Sequence, residues 1–406
     1  MKTGYKIIWL FAILMGLSAC TAEKKQERIA LASMTWEEVT EKAQDKEVNM
    51  MMWQGDPLIN TYMKDFVKPK LKSLYGIELN ISSGQGKDLV GHVLGELEAG
   101  KTDGEIDMVW INGETFFQLR ELNALFGKFT DLLPNNQYVD WENPFVSQDF
   151  QQPVDGMECP WGNVQLAFIY DENRTETVPV SFSEIAQYVK DNPGQFTIPN
   201  EFTGMTLLKS WMIALAGEQE LEGAFNEVKY NQYSQQLFEK INQLKPYFWK
   251  EGRTFPATLA QQHQLFANGE ITFTFSNNDT EVDNKILQGL FAATAKAYVP
   301  APGTIQNSHY LSILHNAQHP EAALMVINFL ISPEAQFEKA KPAVWGDGTV
   351  LDIEKLPAEW KERFAHIPER KNAPNRQAIQ DKAFQELAPE YMIRLYEDFR
   401  KEVIEK

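Results

Sequence analysis

Six short stretches of this chain gather tryptophan, amide, hydroxyl, glycine and carboxylate residues in the combination that holds a small polar molecule. They are Trp53-Gln54-Gly55-Asp56, Ser83-Gly84-Gln85-Gly86, Asn112-Gly113-Glu114, Trp161-Gly162-Asn163, Ser276-Asn277-Asn278-Asp279 and Trp345-Gly346-Asp347. A tryptophan offers a flat face for stacking on a planar or cationic group, and an N–H to donate. Ser83, Gly84 and Gln85 precede a helix, where backbone N–H groups and a hydroxyl suit a carboxylate, sulfate or phosphate. Asp56, Glu114 and Asp279 suit a cationic group instead, so a solute bearing both charges satisfies both ends. Each residue type also has a plain structural use: tryptophan packs cores, glycine makes turns and carboxylates cap helices. Their shared placement at strand ends favours binding. The candidate ligand-binding residues are Trp53, Gly55, Ser83, Gly84, Gln85, Asn112, Glu114, Trp161, Asn163, Ser276, Asn277, Asn278 and Trp345.

Signs of catalysis are missing. The chain has no Gly-x-Ser-x-Gly, His-Glu-x-x-His, P-loop or dinucleotide fingerprint, so no catalytic residue and no cofactor is assigned. His315 and His319 are four apart, but Asn316 and Pro320 put them in a loop or helix entry, and no metal site is assigned. Cys159 reads as a small buried apolar residue rather than a nucleophile.

The loops need elements to carry them. Val48-Asn49-Met50-Met51-Met52-Trp53 reads as a buried strand, Ile77-Glu78-Leu79-Asn80-Ile81 as a second, and residues 106–111 as a third. Helix-length stretches over 59–74 and 88–98 separate them, and another covers 115–125. The strand starts at 48, 77 and 106 are 29 residues apart both times, the length of a βαβ unit, which predicts a parallel sheet. In such a sheet ligands bind beyond the carboxyl ends of the strands. Further along, 195–199 and 269–275 read as strands, 206–216 and 320–330 as helices, and 359–406 as mostly helical. Thr35-Trp36-Glu37-Glu38 and Ser181-Phe182-Ser183-Glu184 are capping boxes, and Ser332-Pro333 fits N-cap and N1.

At the N-terminus, Lys2 and Lys6 precede an apolar run over 7–17 and then Ser18-Ala19-Cys20. The run is too short to span a bilayer, and it reads as a secretory signal. Leu17-Ser18-Ala19-Cys20 resembles the bacterial lipobox, which implies cleavage after residue 19, acylation of Cys20 and a tether over 20–34. Hydrophobic residues make up 43% and charged ones 23%, which places the chain among folded proteins. A formal charge of −18, more negative once Lys2 and Lys6 depart, argues against nucleic acid and anionic lipid as partners. The membrane is met through the anchor only. With Cys20 acylated, Cys159 has no partner for an internal disulfide.

The order of these pieces resembles the extracellular solute-binding lipoproteins of bacterial ABC importers, of the two-lobed type II class that includes polyamine, iron, thiamine and maltodextrin binders. The matching pieces are the lipobox, the βαβαβ opening and Pro160-Trp161-Gly162-Asn163 followed by Leu166-Ala167-Phe168-Ile169-Tyr170. Gly269-Glu270-Ile271 leading to Ser276-Asn277-Asn278 also matches, as does Asn328-Phe329-Leu330-Ile331-Ser332-Pro333-Glu334. The resemblance implies a monomeric α/β fold of two lobes, each a mainly parallel sheet flanked by helices, joined by a hinge. Lobe one would be 35–162 plus 298–332, and lobe two 163–297 plus 333–406. The hinge candidates are 156–161, 298–303 and the neighbourhood of Ser332. The implied function is capture of a small polar solute by closure of the cleft, then delivery to an ABC permease and its ATPase. No signature names the solute.

Two rivals stay open. A surface hydrolase of carbohydrate needs two carboxyls converging on one bond, and no pair stands out. An adhesive lipoprotein would carry the cleft incidentally.

Overall fold

A computed structural model describes residues 34–406 of the chain. The expected signal 1–19, Cys20 and the tether up to residue 33 lie outside the described residues.

Eleven strands are present among the described residues: β1 (Glu47–Met52), β2 (Glu78–Ser83), β3 (Met108–Ile111), β4 (Gln148–Asp149), β5 (Gln152–Pro153), β6 (Glu158–Gln165), β7 (Ala167–Asp171), β8 (Thr274–Ser276), β9 (Ala295–Tyr298), β10 (Thr304–Ile313) and β11 (Ala383–Phe384). β1 pairs in parallel with β2 on one side and β3 on the other, as the 29-residue spacing predicts. β10 then adds antiparallel to β3 and to β6, completing the first lobe's sheet. Val48, Met50 and Met52 alternate inward on β1 and are buried against the helices at 57–75 and 320–330. The opposite sheet face packs Val109 and Ile111 with Leu89, Val93 and Phe116 of the crossover helices.

Caps fix the helix starts. The Thr35–Glu38 capping box forms, and Ser181 and Ser332 accept from the backbone of Glu184 and Ala335. The helix from Pro57 widens into a π turn at Tyr62–Val67 just before Pro69, which has no N–H to continue the α pattern.

The second lobe departs from expectation. Its sheet, in the order β8-β7-β9, is antiparallel at both pairings rather than mainly parallel. Direction is the reason: β7 brings the chain in from β6, while β9 takes it back to β10, so these neighbours run opposite ways. Residues 195–199 form no strand, although Thr272 N–H donates to the Gln195 carbonyl. The lobe's core is built on the helix Phe202–Ala216, buried along most of its length, and on the helix Pro389–Phe399.

The crossings also differ in detail. The first lies at Leu166, between β6 and β7, beyond the expected 156–161, because Trp161 is locked in the first lobe's core. The second runs over 299–303, between β9 and β10. No crossing occurs at Ser332. The helix Pro333–Ala340, expected in lobe two, packs on lobe one: the Tyr62 hydroxyl donates to the Ala335 carbonyl and Lys70 pairs with Glu334. Trp345, Val350, Leu351 and Leu356 follow it into the first core. The chain returns to lobe two between Phe364, packed on the first core, and Phe384, buried in the second. Ala167, Val299 and Ile379, one from each crossing, pack together.

Candidate functional site

The two lobes meet around a cavity of about 130 Å³. From lobe one, Trp53 follows β1, Gln85 and Gly86 follow β2, and Asn112 follows β3. His309 projects from β10, and Trp345 comes from the loop after the helix Pro333–Ala340. From lobe two, Ser276 ends β8 and Asn277 and Asn278 follow it, while Glu201, Phe202 and Thr203 open the long buried helix. The strand-end logic holds because a βα turn leaves its polar residues and the helix N–H groups at the carboxyl edge of the sheet.

Aromatic rings form the lobe-one wall. Trp53 meets Trp110 edge-on at 6.3 Å between centroids, and Trp345 stacks on His309 at 5.4 Å and 14°. His309 Nε2 lies 3.0 Å from Asp347 Oδ2, which also accepts from Lys339 Nζ at 2.5 Å. Burial raises the Asp347 carboxyl, but the His309 and Lys339 charges outweigh it and hold it below its ordinary value.

Carboxylates form the opposite wall. Burial pushes Glu201 up to about 7, against the backbone N–H groups of Thr203 and Gly204 that favour its charged form. Burial also pushes Glu281 up to about 7, with Lys285 opposing. Lys285, expected nowhere in the sequence reading, bridges the lobes. Its Nζ lies 2.6 Å from Asp56 Oδ2 and 2.9 Å from Glu281 Oε1, and donates to Gln288 at 3.3 Å.

Of the candidates from sequence, Trp53, Gln85, Asn112, Ser276, Asn277, Asn278 and Trp345 border the cavity. The others do not. Trp161 is fully buried behind Trp110 and Trp345, at 5.3 and 5.2 Å, so it supports the aromatic wall from within the core. Asn163 is held by Ser308 and Gln306 near the first crossing. Ser83 is exposed at the end of β2, and Gly84 sits over Met51. Gly55 lies under the Trp53 indole, where a Cβ would collide with the ring. Glu114 lies off the cavity, near the Lys209 and Glu386 charges, and burial pushes it up to about 7. Asp279 is consumed by Arg370 and Arg376.

Sequence reasoning missed Glu201, Phe202, Thr203, Glu281 and His309. Glu201-Phe202-Thr203-Gly204 carried a signal: a capping residue ahead of a long apolar helix, with Gly204 placed where a Cβ would strike the Pro199 carbonyl. His309 lies within a strand and carried none.

A cleft between two α/β lobes, lined by strand-end loops from both, is the geometry of a protein that closes on a small molecule. Residues 58–368 match the family described as bacterial extracellular solute-binding protein. The chain belongs to that family. Protein YnjB of Escherichia coli (strain K12) is 36% identical over 334 residues, covering 81% of this chain and 86% of that protein. Among solved structures, the Tp0655 (TpPotD) lipoprotein of Treponema pallidum superposes with a TM-score of 0.65 at 10% identity, covering 89% of this chain and all of that one, 100%. A putative spermidine/putrescine ABC transporter protein from Listeria monocytogenes gives 0.63 at 15% identity, over 89% and 99% of the two chains. The bacterial extracellular solute-binding family fixes the broad role: this protein binds a solute outside the cytoplasm, between its lobes.

Proposed function

We propose that the solute is an organic cation, captured in the cleft without chemical change and handed to an ABC permease with its ATPase. One observation carries this reading: the cavity faces Trp53, Trp110, Phe202 and Trp345 on one hand and the carboxylates of Glu201 and Glu281 on the other. Among the described residues no arginine borders it, and Lys285, behind Asp56 and Glu281, is already spent on them. Aromatic faces attract a desolvated cation, and buried carboxylates supply the counter-charge. A carboxylate on the same solute would find the N-terminus of the helix Gly113–Glu121, where Asn112 makes no side-chain cap bond. Spermidine/putrescine ABC transporter proteins share the fold, which agrees with the amine class.

We further propose export by the signal over 1–19, acylation at Cys20, and attachment to the membrane by that lipid alone. Native mass spectrometry of the freshly purified protein, followed by calorimetry with spermidine, putrescine and choline, tests the solute class. Binding of an amine supports it. A retained or titrated solute that is anionic or uncharged would overturn it.

A further inference from the structure

A second, wider hollow of about 660 Å³ lies against the outer side of the cavity wall. Trp53, Asp56, Leu259 and Glu281 border both spaces, so a single layer of side chains separates them. Lys285 backs that layer from the outer side, reaching between Asp56 and Glu281. Beyond it the surface is mostly apolar: Trp249, Phe255, Pro256, Leu265 and Leu290 from lobe two, with Pro57 from lobe one. His263 also borders the hollow. It is buried, its Nε2 has no hydrogen-bond partner, and burial with the nearby Lys285 charge pushes its pKa down to about 3, so the ring is neutral.

We propose that the cavity and this hollow are two compartments of one site, and that the solute is an elongated cation whose apolar portion leaves the cavity past Lys285 and lies along Trp249, Phe255 and Leu290. This rests on the cation reading above. Continuity of the walls argues for one occupant. The inner space of about 130 Å³ houses the charged head, and the wider hollow beside it has room for a longer apolar portion of the same ligand. Asp56 fixes the lobe-one side of the partition, because its carboxylate accepts from the backbone N–H groups of Leu58 and Ile59.

The test is calorimetric titration with straight-chain primary amines from butylamine to octylamine. Burial of each added methylene in the hollow tightens binding about three- to fourfold, and Leu290→Ser or Trp249→Ser flattens that slope. Amines that bind equally at every length would overturn the second compartment while leaving the cation reading intact. A slope that survives both substitutions would place the chain elsewhere and overturn it too. No binding at any length would overturn both.

Discussion

Asp56 and Lys285 face each other at 2.6 Å across the cleft, one from the loop after β1 and the other from the helix Glu281–Leu287 of lobe two. Both are buried, and Glu281 completes the ion group at 2.9 Å. One ammonium therefore ties the two lobes together through Asp56, with Glu281 beside it on lobe two. Removing that ammonium strands two carboxylates in a place with little water. Lys285→Met should cost about 3–5 kcal/mol of stability. Adding Glu281→Gln to it should recover part of the loss, as read by chemical denaturation. An unchanged midpoint in Lys285→Met would show that the bridge holds nothing.

Protonation opposes cation binding. Glu201 and Glu281 both have carboxyls raised from 4.5 to about 7, so the folded protein keeps protons that the unfolded chain has lost. Two signs follow. The contribution of these groups to stability falls as pH rises from about 4.5 to 7. Affinity for an amine rises through the same value, because the bound cation favours the charged carboxylates. Calorimetry in buffers of different ionisation heat should detect proton release at pH 6.5. Glu201→Gln should flatten the pH profile, and a flat profile in the native protein would discount both carboxylates.

Two tryptophans should behave in opposite ways. Trp53 is half-buried at the cavity wall, so Trp53→Ala should weaken amine binding tenfold or more while the fold stands. Trp161 is fully buried, and its loss leaves a hole in the core costing about 3–5 kcal/mol. Thermal melting with and without the amine separates them. Equal melting temperatures for native protein and Trp161→Ala would contradict its place in the core.

Gly162 has no room for a side chain. A Cβ there would collide with His309 and Asp347. Gly162→Ala should displace His309 from its stack on Trp345, lowering amine affinity and melting temperature together. A crystal structure of the variant with the His309–Trp345 stack unmoved would refute the effect on the wall.

Legibility from sequence followed distance along the chain. The loops after β1, β2, β3 and β8 were readable, since strand patterning and helix caps act within a few residues. Trp53, Asn112 and Asn277 stand at the cavity for that reason. Trp161 and Asp279 looked equally suited, yet one fills a core and the other neutralises two arginines. Glycine and tryptophan together describe a tight loop in either setting, and only the neighbours decide which side of the wall the ring occupies.

The sequence by itself determined the parallel βαβαβ opening, the caps and the apolar stripes, because these arise from local periodicity and backbone chemistry. Tertiary structure alone decided that residues 333–356 join lobe one, that β7 and β9 run opposite ways, and that Lys285 meets Asp56. Those outcomes rest on contacts between segments more than a hundred residues apart, in which burial and charge pairing, not local propensity, choose the partner.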